Sequence, residues 1–179
     1  MTKTRKCKYC KSLFQPITTL QKNCFDPNCV TEWINDVKQK NWQKKKAKLK
    51  ADLMTLSDYI KLAQQVFNKY INLRDKGLPC ISCDKPITGR VNASHYFNAN
   101  NHWNVRFNEF NVHSSCITCN QYLSGNLIEY RSRLINKIGI EQLTLLEAEA
   151  NKTRKFTIDE LKEIINKYKL KIKQYDNKL

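Results

Sequence analysis

Residues 111–126, NVHSSCITCNQYLSGN, decide how the centre of this 179-residue chain folds. They contain the pair Cys116/Cys119, and an earlier Cys-x-x-Cys pair, Cys80/Cys83, lies upstream. Two such pairs supply the four thiolates of a closed, tetrahedral zinc site. Asn120 directly follows the last cysteine, although zinc does not need it. We therefore expect a structural zinc site here and a separate role for this asparagine.

Between the two pairs, the sequence alternates short apolar segments with turn-forming residues. RVNASHYF (residues 90–97) and NVRFNEFNV (residues 104–112) have strand character, and the polar NANNHWN joins them. This region is therefore predicted to form a strand, a loop, a second strand and then a helix.

A second cysteine quartet lies near the N-terminus, with one pair two residues apart and the other separated by four residues. These spacings predict a zinc-bound module over residues 1–30 in which all four ligand positions are filled, so that this zinc is structural. Disulfides are the alternative, but in a reducing cytoplasm paired cysteines suit zinc better. The four ligands are Cys7, Cys10, Cys24 and Cys29.

A basic helix is predicted from about Pro27. Apolar residues recur along one face at helical spacing, and residues 38–50 contain a dense run of lysines. Trp42 lies within that run; we expect it to pack inward, with stacking on a base as the alternative. The face expected to pack consists of Val30, Trp33, Ile34 and Val37.

The remaining helices are predicted from their caps and apolar stripes. One starts near Thr55 or Ser57 and ends near Lys76. The last begins at TIDE, where Thr157 and Glu160 form a capping box.

The formal charge of +16 lies mainly at the two ends of the chain, because residues 51–150 are close to neutral. Clustered lysines that neutralise phosphates are typical of nucleic-acid binding, whereas a solubilising surface is the plainer interpretation. No signal-peptide or membrane-spanning segment is found, so we expect a protein of the cytoplasm with no membrane partner. The DNA-binding candidates are Lys44, Lys45, Lys46, Lys48, Arg131 and Arg133.

The order of these motifs resembles the HNH nucleases, and RDKGLPCISC, ASHYFNA and RFNEFNVHSSCITCNQYLSGNLIEYR resemble the phage NinG, or Rap, recombination proteins. This resemblance implies an α+β, mostly helical fold with a zinc-bound ββα-metal (HNH, treble-clef) module over residues 77–150. Residues 1–30 would be the zinc module, 31–76 basic helices and 151–179 a C-terminal basic helix.

The resemblance also implies an endonuclease that cuts branched DNA, such as Holliday junctions and D-loops, in the bacterial host of a phage. His95 would be the general base, Asn111 would brace the loop beside it, and Asn120 would bind catalytic Mg²⁺ or Mn²⁺, as the matching asparagine does in phage endonuclease VII. A helix cap is the other interpretation of Asn120.

One position departs from the HNH pattern. Ser94 stands where an Asp or His usually binds the metal, which leaves Ser94 or His113 as further magnesium candidates; hydrogen bonding within its turn is the plainer role for His113. The rival function is a non-catalytic zinc DNA-binding protein that assists recombination, and an RNA-binding zinc protein is a third. A homodimer and other phage or host recombination proteins are expected as partners.

Overall fold

The computed structural model describes residues 3–176 and divides the chain into two compact units, Met1–Met54 and Thr55–Leu179. The mostly helical α+β fold predicted from the sequence is confirmed, with small two-stranded sheets and long helices. The boundary lies within the segment 31–76, so the basic helix belongs to the first unit and the next helix to the second. None of the described helices has the length and apolar character of a membrane span.

The first unit is a small hairpin followed by one long helix. Strand β1 (Arg5–Lys6) pairs antiparallel with β2 (Leu13–Phe14), and helix α1 covers Pro27–Asp52. The carboxylate of Asp26 caps α1 by accepting hydrogen bonds from two backbone N–H groups of its first turn, one of them that of Cys29. The cap therefore fixes a cysteine at the start of the helix.

The apolar face predicted for α1 is not a packed face. Only Cys29 is buried on this helix, and the side chain of Trp42 is 58% exposed, so the expectation that it packs inward was wrong. A helix of this length extends about 39 Å, which a two-stranded hairpin cannot cover.

The second unit contains every other element. The capping boxes at Thr55–Asp58 and Thr157–Glu160 are both formed, which confirms the predicted starts of the two longest helices. The elements are α2 (Leu56–Arg74), β3 (Asn92–His95), a 3₁₀-helix (Trp103–Val105), β4 (Val112–Ser115), a π-helical turn (Thr118–Tyr122), α3 (Leu127–Ile138), α4 (Ile140–Ala150) and α5 (Ile158–Asp176).

Strand β4 begins where the second predicted strand was expected to end. Residues 104–111 form the 3₁₀-helix and turns, and β4 pairs antiparallel with β3 so that His95 lies opposite Val112. Val105 is nevertheless buried. Its apolar character reflects core packing from a loop, which sequence alternation cannot distinguish from a strand.

The hairpin of β3 and β4 lies between two helical layers. On one face, Val112 packs with Phe67 and Ile71 of α2 and with Tyr168 of α5. On the other, the Tyr130 hydroxyl of α3 donates to the Ser94 carbonyl at 3.0 Å. Both faces are thus fixed by packed helices, and the cysteine pair that follows β4 starts from a rigid support.

Candidate functional site

The N-terminal quartet has the geometry of a zinc site. Its four sulfurs lie within 4.8 Å of one another, and the Sγ atoms of Cys10 and Cys24 are 3.8 Å apart. Thiolates bound tetrahedrally at 2.3 Å would be about 3.8 Å apart. The Cys24 backbone N–H also donates to the Cys7 sulfur at 3.4 Å. This quartet could therefore hold zinc with every ligand position filled.

The central quartet has the same arrangement. The sulfurs of Cys83 and Cys116 are 4.0 Å apart, and the Cys116 N–H donates to the Cys80 sulfur at 3.4 Å. The second pair is fixed by the loop behind it, because the Gly125 N–H donates to the Cys119 carbonyl at 2.8 Å. All eight cysteines are free, so the disulfide alternative has no support in this structure.

His95 ends β3 on the face of the hairpin that α2 covers. Its Nε2 is 3.1 Å from the Arg106 carbonyl oxygen, which can only accept, so this nitrogen bears the proton. Nδ1 has no partner among residues 3–176 and keeps a free lone pair. Burial lowers the pKa of His95 to about 4, and the ring is therefore neutral near pH 7.

Asn111 holds the loop that leads from β3 to β4. Its side chain is fully buried; Nδ2 donates to the carbonyls of Phe97 and Val105, both at 3.0 Å, and Oδ1 accepts from the Phe97 N–H at 2.8 Å. One side chain thus satisfies three backbone groups that have no sheet partner. Since Arg106 lies in the same loop, Asn111 also fixes the carbonyl that orients His95.

Asn120 lies inside the π-helical turn rather than at its N-cap, which is Ile117. Its backbone N–H donates to the Cys116 carbonyl at 3.1 Å, so its position depends on the cysteine pair. The side-chain amide is half-buried and has no hydrogen-bond partner within the described residues. The capping interpretation therefore has no support here, and the amide oxygen is available to a ligand.

The other magnesium candidates are less accessible. Ser94 is buried, and His113, directly opposite it on β4, is also buried. Arg74 donates to His113 Nδ1 at 3.0 Å, and His113 Nε2 is 3.3 Å from the Phe110 carbonyl, so both ring nitrogens are used inside the protein. This hydrogen bond within the turn is the plainer role expected for His113.

Carboxylates do not gather around His95. Within residues 3–176, the two cysteine quartets are the only groups of three or more His, Cys, Asp or Glu side chains placed to share an ion. Glu109 is occupied, because its carboxylate accepts from the hydroxyls of Tyr70 and Tyr168 and pairs with Lys171. A magnesium ion here would therefore rely on amide, water and phosphate oxygens.

A buried ion-pair network beside the second quartet was not predicted. Arg74 binds its neighbour Asp75 through two hydrogen bonds of 2.8 and 2.9 Å, and Asp75 also accepts from the Ser114 N–H at 2.9 Å. Burial alone would raise the pKa of Asp75, but His113, Arg74 and the Ser114 N–H hold it well below its ordinary value. An Arg-Asp dipeptide at a helix end gives no sequence signal for this role.

The DNA-binding candidates differ in availability. The lysines of α1, including Lys44 and Lys48, are exposed and without ion-pair partners in the described part of the chain. Arg131 instead contacts the Tyr96 hydroxyl and pairs with Glu147. Arg133 pairs with Asp84 and donates to the Ser82 carbonyl. The two arginines thus have structural contacts that the sequence did not reveal.

The whole chain is similar to a family of phage proteins. Residues 1–178 match the family described as Bacteriophage Lambda NinG protein. Protein ninG of Escherichia phage 933W is 37% identical over 97% of this chain and 94% of its own length, and that of Escherichia phage lambda gives the same figures. Protein ninG of Salmonella phage P22 is 35% identical over 94% of the chain and 92% of its own length. No solved structure matches. The chain belongs to the NinG family.

Proposed function

We propose that this protein is a metal-dependent DNA endonuclease of the HNH type that cuts branched recombination intermediates, such as Holliday junctions and D-loops. The observation on which the proposal rests is the state of His95. Its ring is neutral, held at Nε2–H by a backbone carbonyl, and keeps a free Nδ1 lone pair. The resemblance of the surrounding motif to HNH nucleases supports the same conclusion.

His95 acts as the general base. Hydrolysis of a phosphodiester requires a water to lose a proton as it attacks phosphorus, and Nδ1 takes that proton. The imidazolium that forms is stabilised at Nε2–H by the Arg106 carbonyl. Since Asn111 fixes the loop that contains Arg106, it acts as a positioning residue.

Asn120 is the protein ligand that fits a divalent cation. Its amide oxygen is a hard, neutral donor with no other partner in the described chain, and the zinc-binding pair fixes its backbone. Because no carboxylate cluster accompanies it, substrate phosphate and water complete the coordination of Mg²⁺ or Mn²⁺. When bound, the cation neutralises charge on the phosphate and the leaving oxygen.

Strand cleavage on a four-way DNA junction and on a linear duplex of the same sequence tests the proposal. We expect wild type to cut near the branch point only with Mg²⁺ or Mn²⁺, and His95→Ala to lose at least about 100-fold in rate. His102→Ala is the matched control, because that ring bonds the Ala150 carbonyl and has no catalytic role assigned. Its cleavage should remain near wild type.

The second candidate is a non-catalytic zinc protein that binds branched DNA and assists recombination. The scarcity of carboxylates beside His95 and the buried Ser94 favour it. Tight junction binding with no cleavage under either cation would support this function. Equal cleavage by wild type and His95→Ala would instead contradict the role of His95 as base.

A further inference from the structure

We infer that the groove between α2 and β3 binds the sugar-phosphate backbone of the DNA strand close to His95. This inference deepens the proposed function and depends on it for the identity of the ligand. The groove has a volume of about 500 Å³. Its polar lining consists of Gln65, Asn68, Lys69, Asn72, Arg90 and Asn92.

The α2 wall is a polar stripe. Residues 65, 68, 69 and 72 have the spacing i, i+3, i+4 and i+7, which places them on one side of the helix. Three of them are amides and the fourth is a lysine. The core-facing side of the same helix contains Phe67 and Ile71, both fully buried. The stripe is therefore the part of α2 left for a polar ligand.

The charge of the groove suits an anion. Lys69 and Arg90 are exposed, and neither has an ion-pair or hydrogen-bond partner in residues 3–176. No acidic residue lines the groove. Elsewhere in this unit, basic residues such as Arg74, Arg133 and Lys171 each contact a carboxylate. Two unpaired cations facing one cavity match a phosphate-bearing ligand.

An unsatisfied buried atom provides an independent indication. Nδ2 of Asn92 is inaccessible to solvent and has no hydrogen-bond partner, and its residue lines the groove. A buried donor without an acceptor costs about 1–3 kcal/mol. A ligand or water oxygen in the groove would satisfy it.

The chemistry of the lining favours backbone over base. No aromatic side chain lines the groove, so a base has no ring on which to stack. Cations and amides instead provide donors for phosphate and sugar oxygens, which position nucleic acid without reading its sequence. The ligand is therefore a strand recognised through its phosphates.

The groove is also connected to His95. Strand β3 runs from Asn92 in the groove to His95, which is about 10 Å, or about three phosphates of one duplex strand. Hydrogen bonds connect the α2 wall to the same histidine. Gln64 donates to Asn68 at 2.7 Å and accepts from Arg106 at 2.9 Å, and the Arg106 carbonyl holds the ring.

The test measures binding in the His95→Ala background, so that the DNA stays intact. The double variant Lys69→Gln/Arg90→Gln is compared with Lys61→Gln/Lys76→Gln, two exposed lysines of or just after α2 that do not line the groove. Fluorescence anisotropy on a labelled four-way DNA junction gives affinity against salt. We expect the groove variant to bind about 10-fold more weakly and its log–log salt slope to decrease by about two. The control pair should keep the parent slope.

Three results would overturn the inference. They are an unchanged slope for the groove variant, an equal decrease for the control, and a groove-dependent slope for an RNA duplex but not for DNA. Zinc content and circular dichroism verify that each variant folds. Because affinity is read without cleavage, absence of cutting by wild type would overturn the nuclease proposal while leaving the groove result intact.

Discussion

The two cysteine quartets have similar local backbone but very different surroundings. In each, the residue after the first Cys-x-x-Cys pair is left-handed, with φ of 64° at Lys11 and 60° at Asp84. In each, a backbone N–H donates to a cysteine sulfur. The same turn geometry therefore serves two sites, and only what packs around it differs.

Around the N-terminal quartet there is almost no hydrophobic core. Among residues 3–54, the only buried ones are Cys7, Pro16 and Cys29, whereas Leu20 is 85% exposed. The central quartet instead adjoins buried clusters in which α2 packs on α5 and α3 on α4. Zinc thus takes the place of a core in the first unit and anchors a preformed core in the second.

Zinc removal should give the largest effect and separate the two units. On treatment of the full-length protein with a chelator, residues 5–30 should lose amide-exchange protection, because a structural zinc contributes on the order of 10 kcal/mol to folding. Helices α2 and α5 should remain protected by their mutual packing. Hydrogen exchange followed by mass spectrometry measures both regions at once.

Re-addition of zinc is the control and should restore protection in residues 5–30. Protection of that segment without metal would mean that its few apolar contacts suffice. Simultaneous loss in α2 and α5 would show that the second unit depends on zinc as strongly as the first. Either result would remove the distinction between the two quartets.

Loss of the buried carboxylate beside the central quartet should come next in size. Asp75→Asn leaves the Arg74 guanidinium without its charge partner, so we expect the free energy of unfolding of the second unit to fall by about 3–5 kcal/mol. Since the folded-state pKa of Asp75 lies below its ordinary value, this stabilisation is complete at pH 7 and is lost as the pH falls below about 4. Urea unfolding followed by circular dichroism measures it.

Asp84→Asn is the matched control, because Asp84 also pairs with an arginine but is exposed. Exposed pairs contribute about 1 kcal/mol or less. Similar losses in the two variants would mean that the Asp75 network is no stronger than a surface ion pair, and that zinc alone organises this region.

The elements predicted best from the sequence are those determined by local chemistry. Helix α2 ends within two residues of its predicted end, because Thr55 caps it and Gly77 follows it with φ of 84°. The metal-binding potential of both quartets followed from spacing alone, since a Cys-x-x-Cys turn brings two sulfurs together whatever the rest of the fold.

The features missed depend on contacts between distant residues. The strand expected over residues 104–112 is a loop, because Asn111 supplies the hydrogen bonds that a neighbouring strand would have made. The partners of Asp75 come from α2, β4 and α3, which no local pattern connects. Sequence therefore indicated which residues belong to the candidate site, but not what holds them.

Substitution of Asn111 should give the smallest of these stability effects and the most specific one. Asn111→Ala leaves three loop groups unpaired, so we expect a loss of about 2–3 kcal/mol in the free energy of unfolding of the second unit. If the nuclease proposal holds, cleavage should fall further than stability requires, because the Arg106 carbonyl would no longer fix His95. Zinc content should not change, since this loop is held by a side chain and not by the metal.

Asn98→Ala is the control, because the side chain of Asn98 is exposed and accepts only the Asn100 N–H, at 2.8 Å. It should cost less than about 1 kcal/mol. Loss of zinc from Asn111→Ala alone would show that loop and metal site are one cooperative structure. Retention of zinc with a slower cut would show that the second unit separates what zinc holds, Asn120, from what hydrogen bonds hold, His95. The N-terminal unit, with metal as its only support, cannot make that separation.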